Sequence, residues 1–479
     1  MKGASMRRLL ATLALTSFVA PAAVNATNGL DKQFGSGGVV LLGPTPVSGL
    51  KISRITSLVI EDVGKIVIGS RFYDTANGAW LAAIGRLNAD GSWDTSFGDH
   101  GLFVLPYGAA SAPNGGEIHE VAVLSDHSVL AAGGASAGSG SYYSCTLLIK
   151  VDSTGALSTT FAPDHSGSFC YDFAPSGFYF FQHYDGIAVD ASDAFYLTSP
   201  TTNLDHGAVA HFDSNGALIT SYGNNGVADL PVGTSANLLQ LVSNEVLAIG
   251  GANSGSQIAV VRLDATGNAV PTYGTAGVFA FEPQPSSCCV GPIQATLDPQ
   301  HRLLIADNDY DVGTSTKLPY HLARLTDSGA LDVTFNSNGQ QSGYPGFAIP
   351  TVSSNANDDY LVAVQALSDG HLFAIGNAGY ITAGDGNTNL ALLRLNDDSS
   401  YDIAFGDAAH LGWTSINVLG TAASTTYADA LAVDTSGRAF VTFSALDGLG
   451  HACSGVMRVI ADRLFNGQFD PPVAFPTCP

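Results

Sequence analysis

Short apolar runs alternate with small polar turns along the whole chain. In one stretch Ile55–Ile60, Lys65–Gly69, Leu81–Leu87 and Gly101–Leu105 follow one another. Each is of strand length, rich in Val, Ile, Leu or Phe, and bounded by Gly, Asp, Asn or Ser. Helical spacing over ten or more residues is absent, so the pattern predicts an all-β chain. The same four-run set returns later as Gly186–Val189, Ala194–Leu197, Ala208–Phe212 and Gly226–Leu230.

A second regularity marks the period. A small polar residue is followed six positions on by an aromatic one, usually with Gly next. Gly91 leads to Phe97-Gly98, Gly155 to Phe161, Gly216 to Tyr222-Gly223, Gly267 to Tyr273-Gly274, Gly329 to Phe335, and Ser399 to Phe405-Gly406. Asn28-Gly29 before Phe34-Gly35 repeats the arrangement near the start. Four strands per unit in seven units is the sequence form of a propeller. The first run should lie innermost, where Ala122, Ala188 and Ala432 suit a crowded axis, and the fourth outermost. The last unit holds Tyr427–Val433, Ala439–Phe443 and Cys453–Ile460 and lacks its fourth run, while Gly38–Leu42 precedes the first unit without partners. Pairing the two would remove an exposed sheet edge. The expected fold is all-β: a seven-bladed β-propeller of four-stranded antiparallel blades, closed by the N-terminal strand completing the last blade. An eighth degenerate blade and an open arc are the alternatives.

Ile84-Gly85-Arg86-Leu87-Asn88-Ala89-Asp90-Gly91-Ser92-Trp93-Asp94-Thr95-Ser96-Phe97-Gly98 resembles the delta-sixty repeat family of secreted β-propeller proteins. Asp94, Asp332 and Asp402 hold that family's acidic position; Ser158, Ile219 and Val270 replace it in other units. The resemblance implies a fold and export, and no settled activity. The segment Ala461–Asp470 also resembles a short C-terminal motif of exported bacterial proteins, with an ordinary tail as the simpler reading.

Composition adds the compartment. Lys2, Arg7 and Arg8 precede the uncharged run Leu9–Ala20, then Pro21 and the small residues Val24-Asn25-Ala26. That is the layout of a secretory signal peptide, too short for the ~20 residues that cross a bilayer. The expected organisation is 1–26 signal peptide, 27–465 propeller and 466–479 C-terminal tail. The mature protein is expected to be soluble, monomeric and secreted or extracellular, with the periplasm or cell surface as other exported destinations. A formal charge of −23 disfavours nucleic acid and anionic membranes as partners. Six cysteines in an oxidising compartment predict disulfides. Cys145 and Cys170 sit almost symmetrically about the turn near Ser158, which suits a cross-strand bridge. Cys453 with Cys478 would tie down the tail. Cys288 and Cys289 are adjacent, in an expected loop between the fourth and fifth blades, where a vicinal bridge, pairing elsewhere and free thiols all stay open.

Catalytic motifs are nearly absent. Gly134-Ala135-Ser136-Ala137-Gly138 matches G-x-S-x-G but lies between strands, not at a strand-to-helix elbow. His119-Glu120 lacks the second histidine of a zinc protease. Candidate chemistry falls instead at the axis, where the first residues of the inner strands should form a ring. Repeat alignment gives Thr56, His119, Asp185, Asn237, Ile293, Val362 and Asp429, with Glu120, His183, Gln294 and Asp359 close by. Carboxylates and histidines at such a mouth could bind a ligand, hold a metal or serve as acid and base; capping of strands and hydration of the channel are the plainer roles. Asn88-Asp90-Asp94 and Asp307-Asp309-Asp311 offer oxygens to calcium, although Asp and Asn favour turns for backbone reasons alone. No cofactor is otherwise indicated. The expected function is non-enzymatic binding of a glycan or protein through loops of one propeller face. The alternative is an extracellular hydrolase or lyase acting at the axial mouth.

Overall fold

The computed structural model describes residues 29–461 except 44, 136–144, 174–185, 200–205, 284–286, 312–315, 340, 353–358, 379–387, 407–410, 420–423, 448 and 450. The expected signal peptide, the whole of the expected tail, Ser136, His183, Asp185 and Cys478 lie outside these residues.

Seven antiparallel sheets form the molecule, six of them four-stranded. In the first blade the strands are Leu50–Ile60, Ile66–Asp74, Ala79–Leu87 and Leu102–Val104, paired in chain order from the inside out. The other inner strands are Gly116–Val123, Ile187–Val189, Leu238–Val242, Ser287–Leu297, Tyr360–Ala366 and Thr425–Val433. Each packs against its two neighbours, the last against the first, so the ring is closed. The fifth blade carries a fifth, outer strand, Ser342–Tyr344. As expected, the seventh blade takes its outer strand from the start of the chain: Val39, Val40 and Leu41 pair with Met457, Val456 and Gly455.

Period-two alternation makes the ring cohere. Successive side chains point to opposite faces of a strand, and both faces of a blade are covered by other blades. Val67 therefore joins the cluster against the second blade, while Ile66 and Ile68 join the cluster against the seventh. Each of the seven interfaces has its own apolar cluster, and each cluster contains one aromatic of the repeat: Phe34, Phe97, Phe161, Tyr222, Tyr273, Phe335 or Phe405. Ala122, Ala188 and Ala432 pack into these interfaces, not onto the axis as expected.

The residue after the aromatic explains the Gly. At Gly35, Gly98, Gly223 and Gly274 φ is +52°, +52°, +51° and +53°, a left-handed conformation that Gly adopts without steric cost. It lets the N–H of each donate to a turn carbonyl of the next blade: Gly35 to Asp90, Gly98 to Thr154, Gly223 to Thr266, Gly274 to Ser328. Ala162 and Asn336 make the same bond, to Asn215 and Asp398. The aromatic-Gly motif is thus a stitch between neighbouring blades.

The acidic position has a partner eight residues earlier. Asp94 pairs with Arg86 at 2.7 Å, Asp332 with Arg324 at 2.8 Å and Asp402 with Arg394 at 3.1 Å. Where Val270 replaces the acid, Arg262 turns to Glu245 and Asp327. In the seventh blade the pair is split between the chain ends: Arg458 binds Asp31 at 2.9 Å.

Cys145 and Cys170 are bridged, with Cα atoms 5.7 Å apart. Cys453 is disulfide-bonded. Cys288 and Cys289 lie in the strand Ser287–Leu297, not in a loop. The apolar run from Ser287 onward pairs with Leu303–Asp311 and absorbs them into the sheet.

Candidate functional site

A cavity of about 500 Å³ lies at the axis, walled by inner strands. Six of the seven ring positions line it: Thr56, His119, Asn237, Ile293, Val362 and Asp429. They are not first residues of their strands, as expected, with the exception that Asn237 sits just before one. Five are the extra residue of a β-bulge. The register skips Thr56 between Ile55 and Ser57, His119 between Ile118 and Glu120, Ile293 between Pro292 and Gln294, Val362 between Leu361 and Ala363, and Asp429 between Ala428 and Ala430. A bulged residue is released from the ladder and its side chain is re-aimed. The fold uses that device five times to turn a side chain toward the axis.

Around the ring, side chains near the axis also tie the blades together. Thr56 Oγ1 donates to the Ile118 carbonyl at 2.5 Å, and the Ile187 N–H donates to Glu120 Oε2 at 2.9 Å. Thr198 Oγ1 donates to the Ala236 carbonyl, Gln240 Nε2 to that of Ala295, and the Val364 N–H to Gln294 Oε1. The Ala428 N–H donates to Asn377 Oδ1, and Arg54 Nε to Asp429 Oδ1, which completes the circuit. Glu120, proposed from sequence as a ligand group, thus commits one oxygen to structure. Asp359 does not line the cavity; it is buried and accepts the Val352 N–H at 2.8 Å.

The cavity has two unlike walls. Blades four to six give Asn237, Leu238, Ile293, Gln294, Tyr360 and Val362, largely apolar with two amides. Blades seven, one and two give the charges. Arg54 binds Asp429 at 2.9 Å, and Ser444 Oγ donates to the other Asp429 oxygen at 2.5 Å. Arg71 binds Glu117 Oε2 at 2.9 Å, and His119 Nε2 lies 2.9 Å from Glu117 Oε1. Burial pushes the Asp429 carboxyl above its ordinary range, against the opposing pull of Arg54 and Ser444. The guanidinium of Arg71 also lies over the Trp80 ring, 4.8 Å from its centroid.

Arg54, Arg71, Glu117 and Tyr360 were not among the residues picked out from sequence. Three carry a legible signal: Arg54, Glu117 and Tyr360 stand two residues before Thr56, His119 and Val362, the strand period. Arg71 carries none, because it comes from a second strand, opposite Arg54. Of the calcium candidates, Asp94 and Asp90 are otherwise employed. Asp94 is held by Lys65, Ser96 and Arg86, and Asp90 Oδ1 closes its own turn by accepting from Ser92. Among the described residues no three His, Cys, Asp or Glu side chains are grouped to hold a metal ion.

A closed ring of seven blades around a walled axial cavity makes this chain a β-propeller protein. Residues 64–97 match a family described as "Domain of unknown function (DUF5122) beta-propeller". No curated protein matches the chain. Among solved structures, a protein of unknown function from Dyadobacter fermentans is 10% identical, with a TM-score of 0.40, covering 86% of this chain and 100% of the other. A polysaccharide lyase is 10% identical, with a TM-score of 0.42, covering 92% and 94%. A GH74 xyloglucanase from Xanthomonas campestris is 13% identical, with a TM-score of 0.41, covering 82% of this chain and 53% of its own length. None of these likenesses bears on what this chain binds. Among the described residues no helix is long and apolar enough to cross a membrane.

Proposed function

We propose that this chain is an exported binding protein of the delta-sixty repeat type that takes a glycan in its axial cavity. The observation that carries the reading is the pairing of a hydrogen-bonding, charged wall with an apolar wall that includes Tyr360. A sugar ring has apolar C–H faces and a rim of hydroxyls, and pockets that bind such molecules combine apolar lining with a few placed polar groups. Two carboxylates on the charged wall are already engaged, since both oxygens of Glu117 and both of Asp429 meet protein donors, and Glu120 commits one oxygen. That favours recognition over acid–base turnover. Calorimetric titration of the purified protein with soluble oligosaccharides tests the reading. Binding is expected, and Val362→Trp, which fills the cavity, should abolish it with the circular dichroism spectrum unchanged. Failure of every oligosaccharide to bind would refute the proposal, as would undiminished binding by the Trp variant.

One observation favours the hydrolase or lyase alternative: His119 beside Glu117 in the cavity wall is a histidine oriented by a carboxylate. If the protein cleaves a polysaccharide through this site, His119→Ala removes turnover and leaves the fold. Turnover that survives His119→Ala discards that mechanism.

A further inference from the structure

Arg54 and Arg71 stand directly opposite each other in the first blade, on adjacent antiparallel strands. Like charges at facing positions of a ladder destabilise it. Each is held there by a carboxylate from a different neighbour: Asp429 of the seventh blade behind Arg54, and Glu117 of the second blade behind Arg71. The carboxylates are hidden while the cations are not. Side-chain exposure is 3% for Asp429 and 7% for Glu117, against 54% for Arg54 and 34% for Arg71. A ligand in this cavity therefore meets both guanidinium groups on that wall. Glu120 also lines the cavity, with Oε2 turned to the Ile187 N–H.

We infer that the glycan bound here carries an anionic oxygen group, a carboxylate or a sulfate, gripped between Arg54 and Arg71. The inference rests on the glycan reading above and adds the class of sugar. Guanidinium presents planar N–H donors that match the geometry of an oxyanion. Arg71 is pre-set for that role by the Trp80 ring on one side and Glu117 on the other, so less conformational freedom is lost when a ligand arrives. An anion between the two arginines also relieves the repulsion of the facing pair. The chain's net charge of −23 does not forbid this. Charges more than about 8 Å away are largely screened at physiological ionic strength, and the local cations dominate contact.

The test uses the mature protein and matched probes: an oligouronate and its methyl ester, and a sulfated oligosaccharide and its desulfated form. The free acid or the sulfate should bind at least about tenfold more tightly than its neutral counterpart, with affinity falling as salt rises. Which pair shows the difference identifies the group. Arg54→Gln, on the more exposed side chain, should remove most of that difference with the circular dichroism spectrum of the fold retained, although the urea midpoint falls because Asp429 loses its partner, and Arg71→Gln should do the same. Equal affinity for charged and neutral partners overturns this inference and leaves the glycan reading standing. So does a charge preference that survives Arg54→Gln. Binding of no saccharide at all, charged or neutral, overturns both.

Discussion

Ring closure is most directly tested at Arg458 and Asp31, because this pair joins the two ends of the described chain. Their side chains are only 4% and 7% exposed, and the ion pair measures 2.9 Å. The guanidinium also lies 4.9 Å from the Phe34 ring centroid and 5.7 Å from that of Phe440, and Nη1 donates to the Ala89 carbonyl of the first blade at 2.6 Å. Burial, joined by the like charge of Arg438, draws the Arg458 pKa down, and Asp31 opposes that. Asp31→Ala leaves the buried cation without its carboxylate, a loss of about 3–5 kcal/mol. It also frees the Gln33 N–H, which donates to Asp31 Oδ1, worth about 1 kcal/mol more. Against a total stability on the order of 5–15 kcal/mol, that is a large fraction. Arg458→Met alone strands the carboxylate instead. In Asp31→Ala with Arg458→Met no charge is stranded, and the double variant should lie much closer to the parent than the two single losses added together, since an apolar replacement of a buried pair is often neutral. Urea unfolding of the four proteins measures the cycle. A single-variant loss below about 1 kcal/mol, the worth of an exposed pair, would refute the closed ring as described. Simple additivity of the two losses would do the same.

Three further outcomes follow from the same geometry. Asp94 is buried, which raises its pKa, but bonds from Lys65, Ser96 and Arg86 outweigh that and hold the carboxyl below the ordinary 3.8. Its contribution is therefore complete above that value and lost as pH falls through the folded pKa, so the stability gap to Asp94→Asn should narrow in acid; a gap constant with pH contradicts this. His211 is 8% exposed, stacked 3.9 Å from Tyr196, and neither ring nitrogen has a hydrogen-bond partner among the described residues. Burial lowers its pKa from 6.5 despite the pull of Asp190, so the fold loses stability as pH drops below 6.5, and His211→Phe should flatten that part of the urea-midpoint profile. Gly98→Ala places a Cβ against the Leu102 carbonyl at φ +52° and should cost about 1–3 kcal/mol in the same assay, whereas a neutral result would deny the stitch.

What the sequence determined by itself is the repeat and its consequences. Period-two apolar runs, the aromatic six residues after a polar turn, and the orphan run before the first unit sufficed for seven blades and for closure by Val39–Leu41. They sufficed also for the Cys145–Cys170 bridge, since both cysteines sit in neighbouring strands about one turn. These features are local, or repeat with the chain, so spacing exposes them. Repeat alignment even reached six positions of the cavity wall. It misjudged why they point inward, because a bulge is a property of the pairing between two strands and leaves no mark on either strand alone. The charged wall was legible only in part for the same reason. Arg54 and Asp429 are 375 positions apart, and Arg71 and Glu117 are 46 apart in different blades. Ion pairs formed across the ring exist only once the blades are packed, and only packing decides which member of each pair is buried and which is left facing the cavity.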